Sequence, residues 1–174
     1  EGEILLNLDT EEDDEIGVGC AGGVDVTASG SYHQIPAPNG QGYRIIVKGL
    51  QGGHSGMDII KGLGNANKMM NRLLAANKDV AHIASLAGGS LRNAIPREST
   101  ATVVVKTQDI SEFVLQMEKI QFNLVEEYRL LEPDLTIETQ KIDAPQMVMA
   151  PKDQTAFINA VYATHNGVYR MSPA

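Results

Sequence analysis

Residues 42–56 read GYRIIVKGLQGGHSG. The first half is apolar and β-branched, with Tyr43, Ile45, Ile46 and Val47, and reads as a strand. The second half is a glycine-rich turn around one histidine, His54. Gly52, Gly53 and Gly56 let the backbone take positive φ or approach another group closely, where a side chain would obstruct it. Imidazole is the side chain most easily set near neutrality as a proton or hydrogen-bond donor. Read locally, the stretch is a tight strand-to-helix turn with a surface histidine.

Downstream, Ile59, Leu63, Ala66, Met70, Leu73 and Leu74 recur at three- and four-residue intervals, predicting a helix over about 57–77. Residues 80–86 (VAHIASL) read as a strand and 88–96 as a loop. A strong strand follows over 100–106. A second helix begins near Asp109 or Ser111, with Phe113, Val114, Met117, Ile120, Leu124, Tyr128 and Leu131 on its apolar face. Glu132-Pro133-Asp134 ends it, because the residue before a proline avoids helical dihedrals. Residues 135–142 alternate as a strand. From Tyr43 the order is therefore strand, helix, strand, strand, helix, strand. That is the α+β, ferredoxin-like βαββαβ sandwich: two helices on one face of an antiparallel sheet, the other face solvated or covered by a partner. A third helix is expected over 151–165, with Pro151 in its first turn and Asn166-Gly167 as its stop.

Upstream, residues 24–35 alternate and read as a strand. Pro36-Ala37-Pro38-Asn39-Gly40 is turn chemistry, so 24–35 and 42–50 are expected to pair as a hairpin. Residues 16–23 (IGVGCAGG) break any regular pattern and read as a hinge or interdomain crossing. They lack the Lys-Ser/Thr of a phosphate-binding loop, and no strong helix follows. Ile4-Leu5-Leu6-Asn7-Leu8 reads as a buried strand whose C-terminal end delivers Asp9. In open α/β sheets chemistry gathers at such ends, so Asp9 is a candidate metal ligand or acid/base. Read locally, it is first a turn or helix-capping aspartate. Glu11 and Glu12 sit in a dense acidic loop of the kind that is usually solvated.

The formal net charge is −8, and it is unevenly spread. Eight acidic residues fall in the first fifteen positions with no Lys or Arg; the remaining 14 acids balance 14 bases. No basic footprint for nucleic acid exists. Aromatic residues make up 5% of the chain and Trp is absent, so aliphatic residues and methionines such as Met69, Met70 and Met117 must fill the core. One cysteine, Cys20, excludes an internal disulfide and a cysteine zinc cluster, and suits a reducing cytoplasm. No apolar run approaches the roughly 20 residues of a membrane span. The abrupt acidic start and the ending Met171-Ser172-Pro173-Ala174 suggest a piece of a longer protein.

Six short motifs resemble one family in its own order: LNLDTE (6–11), VGCAGG (18–23), KGLQGGHSG (48–56), GLGNANK (62–68), GGSLRNAIPRE (88–98) and NGVYRMS (166–172). Together they resemble the middle of the aminoacyl-histidine dipeptidases (Xaa-His, carnosinase-like). These are dinuclear-zinc peptidases related to carboxypeptidase G and the aminoacylases. The resemblance implies that residues 1–15 end a zinc-binding catalytic domain and 16–174 form a lid, or dimerisation, domain. It implies zinc as cofactor (two ions), a small dipeptide as substrate, a homodimer through the lid, and a cytoplasmic enzyme without nucleic-acid or membrane partners. Asp9 matches a carboxylate ligand of one zinc. His54 matches a lid histidine that stabilises the oxyanion, often in the other subunit's active site. Asn93 matches a lid asparagine that hydrogen-bonds substrate, and Gly89 and Pro96 shape its loop.

The His-x-Asp metal motif, the bridging aspartate, the catalytic glutamate pair and the final histidine ligand of that family are not in this chain. Glu11-Glu12 is not that pair, and Arg170 lies too early to be the family's carboxylate-binding arginine. One zinc ligand cannot build a catalytic centre, so the isolated chain is expected to be inactive. The alternative is a non-enzymatic ferredoxin-like ligand-binding or dimerisation module. His33, His82 and His165 carry no motif and read as structural; Cys20 has no general base beside it.

Overall fold

A computed structural model describes Asp14 and residues 22–171. Asp9, the apolar run before it and the proposed boundary at 15/16 lie outside the described residues. The chain divides between Ser31 and Tyr32. Residues 22–31 are exposed and carry neither helix nor strand, so the strand expected over 24–35 is confined to its last residues, where Gln34–Pro36 is extended.

In the second unit the elements run β1 (Gln34–Pro36), β2 (Gly40–Lys48), α1 (Ala66–Ala76), β3 (Ala81–Gly88), β4 (Ser99–Lys106), α2 (Ile110–Tyr128), β5 (Thr136–Ile142), β6 (Met147–Met149) and α3 (Pro151–Ala163). Four strands form one sheet in the order β3-β4-β2-β5, every neighbouring pair antiparallel. Strands β2 and β3 flank β4 and are joined through α1. Strands β4 and β5 flank β2 and are joined through α2. This is the ferredoxin-like arrangement expected from the order of elements.

Alternation along β2 decides which face carries the core. Tyr43, Ile45 and Val47 are buried while Arg44 is exposed. Across the ladder Tyr43 faces Val103 and Ile45 faces Ala101. These residues pack with Met69, Met70, Leu73 and Leu74 of α1 and with Phe113, Met117 and Leu124 of α2. Each such side chain contributes roughly 1.5–3 kcal/mol when fully buried. The Tyr43 and Phe113 rings meet at 4.9 Å between centroids, tying strand to helix where aromatics are otherwise scarce.

The hairpin expected between 24–35 and 42–50 does not form. Both sides of β2 are taken, by β4 and by β5, so no edge remains for a third partner. The short β1 pairs instead with β6, Ile35 opposite Val148. His33 secures this pairing: its carbonyl accepts from Ala150, and its amide and Nδ1 lie 2.7 and 3.0 Å from Asp153 Oδ2 in the first turn of α3.

The first helix also starts later than the apolar spacing indicates. A single 3₁₀ turn, Ile59–Lys61, stops at Gly62, whose φ of 69° is left-handed. A Cβ at Gly64 would lie 2.7 Å from the Met69 side chain. Asn65 then caps α1, its Oδ1 accepting from the amides of Asn67 and Lys68 at 3.0 and 3.2 Å. The third helix ends at Ala163, where Lys68 Nζ donates to the carbonyls of Val161, Tyr162 and Thr164. A cation at a helix C-terminus both satisfies orphan carbonyls and opposes the helix dipole. The buried Gln154 joins α3 to β3, accepting from Ile83 N and donating to Lys78 O and Ala81 O.

His82 gives the fold a pH dependence. It sits in β3 opposite Val104, and its buried Nε2 has no hydrogen-bond partner among the described residues. Burial, with a smaller contribution from Lys106, pushes its pKa below the ordinary 6.5. The unfolded chain therefore binds the His82 proton first as pH falls, so stability declines below about pH 6.5 and is unaffected above it. Urea unfolding of His82→Gln should lack this part of the decline. The half-buried carboxylates Asp58, Glu138 and Asp153 are held below their ordinary range by hydrogen bonds, so they act at lower pH. Identical pH profiles for wild type and His82→Gln between pH 7 and 5 would remove His82 from the account.

Candidate functional site

After β2 the chain enters the glycine-rich turn and folds against the segment before β4. Gly53 O accepts from Ile95 N at 2.8 Å, and Ser55 N donates to Asn93 O at 2.9 Å. Between these bonds His54 and Ala94 form an antiparallel bridge. The two loops that the sequence marks as chemical, one around His54 and one around Asn93, are thus laid side by side by backbone pairing. Both side chains are exposed.

The turn fixes the His54 ring. The amides of Gly56 and Met57 donate to its Nδ1 at 3.0 and 3.2 Å. A nitrogen that accepts two N–H groups presents its lone pair to them, so in the neutral ring the proton resides on Nε2. Nε2 has no partner among the described residues and is free to donate. The Asn93 side chain is likewise uncommitted among these residues, with its donor and acceptor both available.

Two residues that the sequence reading passed over build this turn. Asp58 Oδ2 accepts from His54 N at 2.7 Å, and Asp58 N donates back to His54 O at 2.9 Å. Its Oδ1 pairs with Lys61 at 2.6 Å. Lys61 first, then the His54 amide, hold the Asp58 carboxyl below its ordinary pKa. Gly53, at φ 150°, admits this approach: a Cβ there would lie 2.8 Å from Asp58 Cβ. The second residue is Glu132, just past α2 and 2% exposed. It accepts from Gln51 N at 2.8 Å and from Gly64 N at 2.7 Å. Gln51 also donates its side-chain amide to Leu131 O.

A cleft of about 510 Å³ borders the same region, lined by Gly89, Ser90, Ala94, Pro96 and Arg97 among others. Neither His54 nor Asn93 lines it, but Ala94, which pairs with His54, does. Among the described residues no group of three or more His, Cys, Asp or Glu side chains could hold a metal ion. No described helix is long and apolar enough to cross a membrane.

The peptidase dimerisation domain of the M20 family matches residues 45–131, from within β2 to just past α2. The chain belongs to this family. It is 37% identical to the cytosol non-specific dipeptidase of Escherichia coli (strain K12), over 99% of this chain and 36% of that protein. It superposes on the crystal structure of aminoacylhistidine dipeptidase from Vibrio alginolyticus with a TM-score of 0.77 and 36% identity, over 82% of this chain and 30% of that one. The chain thus spans about a third of the length of these M20 relatives. Within the M20 dimerisation domain, the His54 turn is the connection from β2 toward α1, and the Asn93 loop is the connection from β3 to β4.

Proposed function

We propose that this chain is the lid segment of a metal-dependent dipeptidase that hydrolyses Xaa-His-type dipeptides with zinc-activated water. The relatedness to two dipeptidases supports the enzyme class, and the family's description as a dimerisation domain supports a homodimer through this unit. The kinship to a cytosol dipeptidase supports a cytoplasmic setting. The observation that carries the reading is His54, an exposed imidazole whose Nδ1 is occupied by backbone amides and whose Nε2–H is free. When water attacks a peptide carbonyl, negative charge gathers on the carbonyl oxygen. A positioned neutral N–H stabilises that charge more than it stabilises the starting carbonyl. In a homodimer this donor would serve the active site of the other subunit.

Asn93 supplies the second contact, its amide both donating to and accepting from the dipeptide. The described residues do not fit a metal centre, so the two zinc ions belong to the rest of the enzyme, with Asp9 proposed as one carboxylate ligand. The test is turnover of Xaa-His dipeptides by the full-length enzyme. Asn93→Ala should lower kcat/KM by about tenfold, the worth of one substrate hydrogen bond. Failure of the zinc-loaded wild-type enzyme to cleave any dipeptide would sink the enzymatic reading in favour of a binding or dimerisation module.

A further inference from the structure

We propose that Asp58 is a positioning residue for His54, holding the 54–58 turn so that the imidazole stays in the Nε2–H tautomer with that donor free. The inference rests on the reading of His54 as the oxyanion donor, and it adds how the donor is kept ready.

Asp58 and His54 bind one another at both ends. The Asp58 carboxylate takes the His54 amide at 2.7 Å, and the His54 carbonyl takes the Asp58 amide at 2.9 Å. The chain between them is closed into a tight loop, and the Gly56 and Met57 amides on that loop face inward to Nδ1. Remove the closure and those two amides are free to turn to water. The ring would then be free to exchange the proton between its nitrogens, and the Nδ1–H form offers no N–H at the outer position. Lys61 completes the arrangement, holding the other carboxylate oxygen at 2.6 Å. The Lys61 hydrogen bond, then that of the His54 amide, lowers the Asp58 pKa, so the carboxylate stays an acceptor to lower pH than an ordinary aspartate. Two glycines make the loop possible on opposite sides. Gly53 gives Asp58 room, and at Gly56 a Cβ would lie 3.3 Å from both Cε1 and Nδ1 of the ring. A donor fixed before substrate arrives needs no reorganisation as charge develops.

The test reads the ring itself, apart from turnover. Histidine in the full-length enzyme is labelled with ¹⁵N, and long-range ¹H–¹⁵N correlations are recorded at alkaline pH, where imidazole is neutral. The His54 signals are assigned by their loss in His54→Gln. The wild type should show a single Nε2–H tautomer with Nδ1 as acceptor. Asp58→Ala should move both nitrogens toward a tautomer average and lower kcat about tenfold with KM nearly unchanged, as expected for a misplaced catalytic group. Asp58→Asn keeps an oxygen for the His54 amide and should restore most of both readouts. Gly56→Ala, which leaves Asp58 in place and crowds the ring, should shift the same ¹⁵N signals; it carries the test if Asp58→Ala does not fold. A tautomer mixture in wild type, or wild-type ring shifts in the folded variants, overturns the proposal. A locked tautomer alongside normal turnover in His54→Ala would leave the lock standing and remove the oxyanion role.

Discussion

His54→Ala should lower kcat of the full-length enzyme by about 10²-fold or more, the usual loss when one oxyanion donor is removed. KM should change little, because the bond strengthens only as charge develops and so contributes to the transition state more than to substrate binding. The loss should come without unfolding. The loop is pinned by main-chain bonds, Ser55 N to Asn93 O and Ile95 N to Gly53 O, which the substitution leaves in place. The Gly56 and Met57 amides lose their acceptor, yet both residues are exposed and water can replace it. A stability change under about 1 kcal/mol is therefore expected. Steady-state kinetics and urea unfolding of the same preparation separate the two effects. His54→Gln keeps an N–H at the end of its side chain and should retain part of the activity. Near-normal turnover in His54→Ala would remove His54 from the chemistry.

The parts of the fold that were legible in the sequence are those with a strong local period. Tyr43, Ile45 and Val47 alternate toward the core as their spacing predicts, and Phe113, Met117 and Leu124 fall on the buried side of α2. Readings failed where a different constraint prevailed. The apolar spacing from Ile59 through Leu63 continues a helical pattern, but Gly62 in a left-handed conformation ends the turn and α1 begins at Ala66. The hairpin lost to pairing at long range: Ile45 faces Thr139, nearly a hundred residues away, and no local pattern announces it. The site was legible in its side chains and not in its assembly. His54 and Asn93 stand in short motifs, but their adjacency comes from main-chain bonds, which leave no mark on residue identity. Glu132 was hidden for the same reason. Glu-Pro-Asp after a helix looks like a solvated turn, and the partners that bury the glutamate are amides of Gln51 and Gly64.

That buried carboxylate is where the fold should be most sensitive. Glu132 Oε2 holds Gln51 at the entrance to the His54 turn, and Oε1 holds Gly64 just before the cap of α1. One side chain therefore joins the end of α2, the His54 turn and the start of α1. Hydrogen bonds to an ionised acceptor contribute roughly 1.5–3 kcal/mol each, and a buried amide left unpaired costs about 1–3 kcal/mol. The bond to Gly64 is buried and the one to Gln51 only partly so, which leaves water access to one of the two amides. Glu132→Ala should then destabilise the unit by about 3 kcal/mol. For a chain of this size that lowers Tm by roughly 6–12 °C. An apolar replacement such as Glu132→Leu offers no escape, because backbone donors cannot be replaced along with their acceptor. Glu132→Gln is the sharper probe. It preserves volume and keeps one carbonyl oxygen, but its NH₂ must face an N–H, setting donor against donor. It should cost about 2 kcal/mol, more than a near-isosteric exchange at an exposed glutamate. Urea unfolding with an unchanged m-value would assign the loss to the folded state. If Glu132→Gln unfolds at the wild-type midpoint, the paired amides are not what holds these three segments together.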